Sequence, residues 1–433
     1  MQKLYLKKYS NRLTIFLFLA FSIVNGQENG SIYGFVTDSS SGEALIGANV
    51  FINDVGAGMA TDVNGYYVLQ DIKPGPYDII VSYVGYELLE KKIIINEGES
   101  TKLDLVLLEE VVSLTAVEVT AEKIKRKNNI QPSTVNLSPR MLRSAPALAE
   151  PDLFRTIQAL PGVLTTSEFS TGLVIRGGNT DQNLILLDGV TVYNPSHLGG
   201  IFSNFIVDGV KEAELIKGAY NAEYGGRLSA VLNIISREGN KKKIEGKATL
   251  SLLSAQATLE GPFYKGAWVF SGRRTYFDKI FQNVPSIPPY YFYDIQSHVY
   301  SDITPKDRLS LSFYNGVDDL LFETFGLSGR WGNNTLSAQY RRVFSEKLIG
   351  NFLYANSLFF TEFGLGGSNG LNSDNQIDDA TIAANFSWFR SSNSTVKFGA
   401  QLKSLGFLYT NTFGDSTQFE IKTKPKEFAS YAK

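Results

Sequence analysis

The chain has 433 residues with 41 basic and 43 acidic side chains and no cysteine, so its length suggests about two to four domains. The balanced charge gives no sign of a nucleic-acid partner, and the missing cysteines exclude a disulfide framework, a thiol nucleophile and any Cys-based zinc or iron–sulfur site. With 22 Tyr, 29 Phe and 39 Gly, the composition favours strands and turns over helices.

Residues 1–26 have the layout of a secretory signal peptide. Lys3, Lys7, Lys8 and Arg12 precede an apolar stretch at 13–24, and Val24-Asn25-Gly26 forms a small-residue exit with cleavage expected near Gln27. The apolar run is too short to span a bilayer comfortably. Residues 27–108 then alternate in short runs separated by turn signals. Asn64-Gly65, between 60–63 and 66–69, is a type I′ hairpin signal. About seven strands in about eighty residues predict a small β-sandwich. This segment resembles the carboxypeptidase-regulatory-like (transthyretin-like) domain through Gly34-Phe35-Val36-Thr37-Asp38, Leu45-Ile46-Gly47-Ala48-Asn49-Val50, Thr61-Asp62-Val63-Asn64-Gly65-Tyr66 and Pro74-Gly75-Pro76-Tyr77. Its glycines specify turns, hence a fold and not an activity.

Residues 109–137 change character. A β-branched run from Val111 is followed by the basic tract 123–127. The run reads as a last sandwich strand, a plain linker, or a strand awaiting a partner by β-augmentation. Val117, Glu118, Val119, Thr120 and Ala121 resemble a TonB box, the segment that outer-membrane receptors present to their energising partner.

Residues 138–240 predict one mixed α and β core. Ser138-Pro139 is a helix start. A second helix fits 151–160, with Leu153, Ile157 and Leu160 on one face and Pro161-Gly162 as its stop. The stretch 172–195 holds apolar runs at 173–175 and 184–187 around the polar loop 176–183. Asp188-Gly189 then makes a hairpin turn into 190–193. Leu184–Leu187 does not alternate, which marks a strand buried on both faces. Further strands fit 210–216 and 230–235.

Residues 241–433 alternate with opposite faces. Phe352, Tyr354, Leu358 and Phe360 share one parity against Asn351, Ser357 and Thr361; Ala380, Ile382, Ala384, Phe386 and Trp388 do so against Asp379, Thr381, Asn385 and Ser387. Such runs fit transmembrane β-strands, or a soluble sandwich with one wet face; the signal peptide favours the former.

With these parts in view, the whole chain resembles a TonB-dependent outer-membrane receptor of the Bacteroidota type. The specific residues are Leu160-Pro161-Gly162-Val163, then Arg176, Gly177, Gly178, Asp181, Gln182 and Asn183, then Asp188 and Gly189, and at the plug–barrel junction Glu223, Tyr224, Gly225, Gly226 and Arg227. The implied fold is mostly β: a transthyretin-like sandwich, an α+β plug, and a transmembrane antiparallel barrel. The implied function is nutrient import by energised displacement of the plug. The implied partners are TonB, outer-membrane lipid, an extracellular nutrient ligand and a surface lipoprotein. The implied location is the outer membrane, with the first domain periplasmic. Arg176 and Arg227, with Glu223, are expected to face the plug–barrel boundary in ion pairs, and ligand contacts to fall in loops such as 322–334 and 364–379. Siderophore, cobalamin, peptide and glycan remain open as substrates, the loop pattern being less like the glycan-importing subclass.

The family barrel has about 22 strands, whereas 243–433 has room for about eight or nine of ten residues plus turns. We therefore expect a C-terminally incomplete barrel. No cofactor or metal is expected. Only His197 and His298 occur, and no Glu stands where a zinc-peptidase motif needs one. His197 reads as a loop or packing residue. The phosphate-binding GxxxxGK[ST] is absent from the sequence, so the chain reads as no enzyme. The competing reading is a non-transporting β-domain receptor or adhesin.

Overall fold

The computed structural model describes residues 29–110, 133–144, 150–165, 170, 172–284, 287, 289–323, 326–367, 370–391 and 394–433. The expected signal peptide and TonB box lie outside the described residues. No helix among those described is long and apolar enough to cross a membrane.

The first domain is a sandwich of two sheets. In one, Gly30–Asp38 pairs antiparallel with Tyr66–Ile72 and parallel with Ser100–Lys102 and Leu105–Leu107. The other orders Ala57–Ala60, Asn49–Ile52, Gly75–Ser82 and Leu89–Ile95. Alternating residues meet in the middle, with Val36, Val50, Ile52, Leu69 and Ile79 essentially inaccessible. One turn differs from expectation. Ala57–Ala60 and Tyr66–Ile72 lie in different sheets, so Asn64-Gly65 joins sheets instead of closing a hairpin. Gly65 has φ +73°, and Asn64 has no positive φ. The Asp62 carboxylate organises this turn instead, accepting the N–H groups of Asn64 and Tyr66, each at 2.8 Å.

The second domain is built on a five-stranded sheet ordered Val190–Thr191, Leu184–Leu187, Val231–Ser236, Val210–Ile216 and Thr134–Leu137. Leu184–Leu187 pairs parallel with Val231–Ser236, which puts this all-apolar strand inside the sheet. Asp188 and Gly189 have φ +49° and +81°, the two positive values that a type I′ turn requires. The helix Leu153–Gln158 starts at Asp152, whose carboxylate accepts the Arg155 N–H at 3.0 Å. Leu153 and Ile157 enter the core and Leu160 packs at its rim. Gly162, at φ +80°, turns the chain away after that helix.

The remainder is one antiparallel sheet of eleven strand segments from Glu245–Leu250 to Lys426–Ala432. Ser416–Thr423 and Lys426–Ala432 pair in succession with Ser394–Phe413 and are split at Pro425, which has no N–H for the ladder. The segments therefore make ten passes, one or two more than the sequence spacing suggests. The strands from Tyr290 onward run 15 to 21 residues up to Phe413, beyond the roughly 9–11 that cross a bilayer. Among the described residues, Glu245–Leu250 pairs only with Ser254–Phe263, so the sheet has an edge there.

The burial pattern is inverted relative to a soluble sheet. The apolar parity is outside: Leu311, Leu336, Tyr354, Ile382 and Leu402 are exposed. The polar parity is inside: Ser337, Ser357, Asp379 and Thr381 are buried. Tyr340, Phe352, Phe386 and Phe398 form a chain of outer-face ring contacts 5.2 to 6.0 Å apart. An apolar band with aromatic rows outside and polar side chains inside is the pattern of a transmembrane β-wall.

Candidate functional site: the plug–wall interface

The second domain is seated on the polar face of the wall. Its hairpin turn touches the wall directly. Gln339 Nε2 donates to the Asp188 carbonyl at 2.7 Å, and a side chain on Gly189 would meet Leu353 at 3.2 Å. The Asp188 carboxylate serves the plug itself, accepting the Ser236 N–H at 2.9 Å and hydroxyl at 2.6 Å. It thereby ties the turn to the neighbouring parallel strand. Tyr193 donates to Asp379 at 2.9 Å, and Lys403 pairs with the same carboxylate at 2.9 Å.

The other motif residues divide between structure and interface. Gly178 faces Ser229 so closely that a Cβ would lie 2.4 Å from its Oγ. Asp181 and Gln182 lie in the 3-10 turn Thr180–Gln182; the Gln182 carbonyl accepts the N–H groups of Leu228 and Ser229 at 3.2 and 3.0 Å. Asn183 is buried and donates to the Leu173 carbonyl at 2.7 Å. These contacts stitch loop 176–183 to segment 227–230. At the expected junction, Glu223 pairs with Lys433 at 2.9 Å and Lys397 at 3.9 Å, both from the wall. Burial raises its pKa, but the two ammonium groups outweigh this and hold it below the ordinary carboxylate value. Tyr224 packs against Leu184, Ile216 and Val231. Gly225 and Gly226 have open space around them.

The two arginines depart from expectation. Among the described residues, neither Arg176 nor Arg227 forms an ion pair. Arg176 and Gly177 have φ +50° and +84°. This turn leaves the exposed guanidinium beside Ser133, whose Oγ accepts from Nη2 at 2.7 Å. Arg227 donates to the Gly226 carbonyl at 2.9 Å. Both bonds stay within the second domain.

The charged contact between plug and wall lies elsewhere. His197 is fully buried. Its Nε2 is 2.8 Å from Asp294 and its Nδ1 2.7 Å from Asp318, on adjacent wall strands. Its ring stacks on Phe292 at 4.0 Å and 7°. Burial alone would depress its pKa; the two carboxylates reverse this and raise it to about 9. It is therefore an imidazolium at neutral pH, donating from both nitrogens. A reciprocal pair sits beside it. Wall Arg273 binds Asp294 at 2.6 Å and plug Glu150 at 2.8 Å, and donates to the Ser203 carbonyl at 2.7 Å. Tyr314 donates to Asp294 at 2.7 Å, Tyr290 donates to Asp318, and Ser254 donates to Glu150. The Leu198 N–H reaches Asp318 at 3.0 Å. Each domain thus contributes a cation that binds the other: His197 two wall carboxylates, and Arg273 the plug carboxylate of Glu150.

Two family models match the chain: a CarboxypepD_reg-like domain over residues 32–119 and a TonB-dependent Receptor Plug Domain over residues 115–231. Residues 115–231 therefore carry a plug domain of the TonB-dependent receptor kind. A curated relative, TonB-dependent receptor SusC of Bacteroides thetaiotaomicron, is 27% identical over 221 residues, covering 49% of this chain and 21% of that protein. Among solved structures, the copper transporter OprC matches with a TM-score of 0.54 at 13% identity over 70% of this chain and 53% of its own. The ferric-catecholate import receptor Fiu of Escherichia coli K12 matches with a TM-score of 0.52 at 12% identity over 70% and 54%. The chain therefore spans about a fifth of that curated relative and about half of each of those solved chains. These structural matches support the fold: a plug domain on a transmembrane β-wall.

The His197 clasp carries no local sequence signal. Its partners are 97 and 121 residues away. The available clue was a pair of aspartates, Asp294 and Asp318, on the polar parity of otherwise transmembrane strands. An ionisable residue facing inward there is expensive and implies a partner.

Proposed function

We propose that the complete protein is an outer-membrane transporter that imports a scarce nutrient by energised displacement of the plug, and that it is no enzyme. The observation that supports this best is the chemistry of the plug–wall contact. A permanent stopper is most stable with an apolar seal. Here the plug is held by a buried ionic clasp and scattered side-chain hydrogen bonds beside one small apolar cluster, where Phe202 meets Tyr290 and Phe292 of the wall, while most of the apolar surface of the wall faces outward. Polar contacts can be exchanged for water once the plug moves, so such a stopper can be withdrawn and reseated.

The wall strands adjoining the first domain are joined by short turns, such as 345–348, the pattern of the periplasmic end in outer-membrane barrels. The first domain and Val117–Ala121 therefore face the periplasm, where TonB adds the box as a strand. The nutrient arrives at the opposite end, with a surface lipoprotein as its delivering partner. Deleting residues 117–121 from the full-length protein tests this. Energy-dependent uptake should vanish while ligand binding persists; uptake that survives the deletion would favour the receptor or adhesin reading.

A further inference from the structure

The first domain is not a free appendage. Tyr33, Phe35, Tyr66 and Val68 form an apolar patch on the outside of the sandwich, and it packs on Val343, Ile349 and Phe389 next to two short turns of the wall. Tyr66 and Val68 are 0% and 1% exposed. The Tyr66 hydroxyl donates to the Glu346 carbonyl and Gln70 Nε2 to the Phe389 carbonyl, each at 2.8 Å. The Arg341 guanidinium lies 4.7 Å from the Phe35 ring.

A second contact falls on residues 237–243, which join the last plug strand to the first wall strand. Glu43 Oε1 accepts the backbone N–H groups of Glu238 and Gly239 at 2.6 and 3.0 Å. Glu238 returns the exchange, accepting the Ala44 N–H at 3.3 Å while paired with Arg308 at 3.1 Å. The Lys241 N–H donates to the Ser41 carbonyl at 2.8 Å. Between these contacts lies a cavity of about 810 Å³, with Asn49 and Thr61 of the sandwich, Glu223 and Arg227 of the plug and Lys403 of the wall in its lining.

We propose that the sandwich is a releasable cap over this chamber, and that Glu43 is the latch coupling it to the plug; the release step rests on the transport reading. A solute leaving past the plug at the short-turn end enters the covered chamber, so the cap must move for it to emerge. The coupling is geometric. Glu43 grips backbone donors on the link that continues directly from plug strand Val231–Ser236. Displacing that strand withdraws both donors, leaving the cap held only by its contacts to the wall turns, the apolar patch and the bonds of Tyr66 and Gln70.

The 433 residues contain no cysteine, so the test uses single-cysteine variants of the full-length receptor in outer membranes, with any cysteine outside these residues replaced by serine. In the resting state Val68→Cys should react with a maleimide about tenfold or more slowly than Ile94→Cys, which is 71% exposed. Ile52→Cys, in the sandwich core, should stay protected throughout and reports that the domain remains folded. Adding Glu43→Ala should raise Val68→Cys labelling while Ile52→Cys stays protected. Energised uptake of ligand should raise it likewise. Resting Val68→Cys labelling at the Ile94→Cys rate would overturn the docked cap. Unchanged protection after Glu43→Ala would overturn the latch. Protection that persists during measured uptake would overturn release. If the parent receptor shows no uptake, the transport reading fails, while the resting and Glu43→Ala measurements still decide the cap and the latch.

Discussion

Replacing His197 with leucine removes the cationic centre of the plug–wall clasp without creating a large void beside Phe292. Two charge-assisted bonds of 2.8 and 2.7 Å are lost, each worth roughly 1.5–3 kcal/mol. Both carboxylates keep other partners: Asp294 retains Arg273 and Tyr314, and Asp318 retains Tyr290 and the Leu198 N–H. The cost should therefore fall at the lower end of the roughly 3–5 kcal/mol for breaking a buried pair. About 3 kcal/mol corresponds to roughly a hundredfold. Hydrogen exchange of the full-length receptor in micelles reads this directly, because opening of the plug exposes the amides of Leu184–Leu187 and Val231–Ser236. These should exchange roughly a hundredfold faster in the variant, with wall amides unchanged. The pH dependence has a definite sign. The folded pKa of about 9 lies above the ordinary histidine value of 6.5, so the stabilisation is complete below pH 6.5 and is lost as pH rises through about 9. The groups facing the imidazole are Asp294, Asp318 and the ring of Phe292, with Arg273, Tyr290 and Tyr314 bound to those carboxylates. Plug exchange in the parent should accelerate above pH 9 beyond the base catalysis of exchange itself, and the excess should be missing in His197→Leu. Plug amides within threefold of the parent at neutral pH would refute the reasoning.

Three further outcomes are expected. Ile382→Arg, at a position 59% exposed on the outer face, should cost about 2–4 kcal/mol in folding into lipid vesicles if that face meets the bilayer midplane; a negligible effect would deny the lipid-facing assignment. Asp188→Ala should cost about 2–4 kcal/mol in plug stability by exchange, through the lost bonds to Ser236 and a left-handed backbone that alanine disfavours, whereas Asp188→Asn should be milder because asparagine tolerates that backbone. Gly178→Ala should cost about 1–3 kcal/mol by overpacking against Ser229, and Ser229→Gly should relieve it.

Local chemistry was legible where one short segment decides the outcome. Asp188-Gly189 needs no distant partner to turn, and Pro161-Gly162 ends its helix by its own backbone limits. The parity of Tyr354, Ile382 and Trp388 was read correctly because alternation is a property of each strand. The same approach failed for Asn64-Gly65, whose flanking strands belong to different sheets. It failed too for Arg176: its residue type suggested an ion pair, yet the left-handed turn sends it to Ser133.

From the sequence alone came the element types, the order of sandwich, plug and wall, and the side of each wall strand that faces outward. All follow from periodicity, turn residues and motif order, which act over a few residues. The tertiary structure alone decided that His197 reaches Asp294 and Asp318, that Glu223 rather than either arginine bridges to the wall, and that Tyr66 and Glu43 bind the sandwich to the wall turns and the plug link. Those contacts join residues from tens to nearly three hundred positions apart. They depend on strand register and accumulated twist across the whole sheet, which no single stretch of sequence specifies.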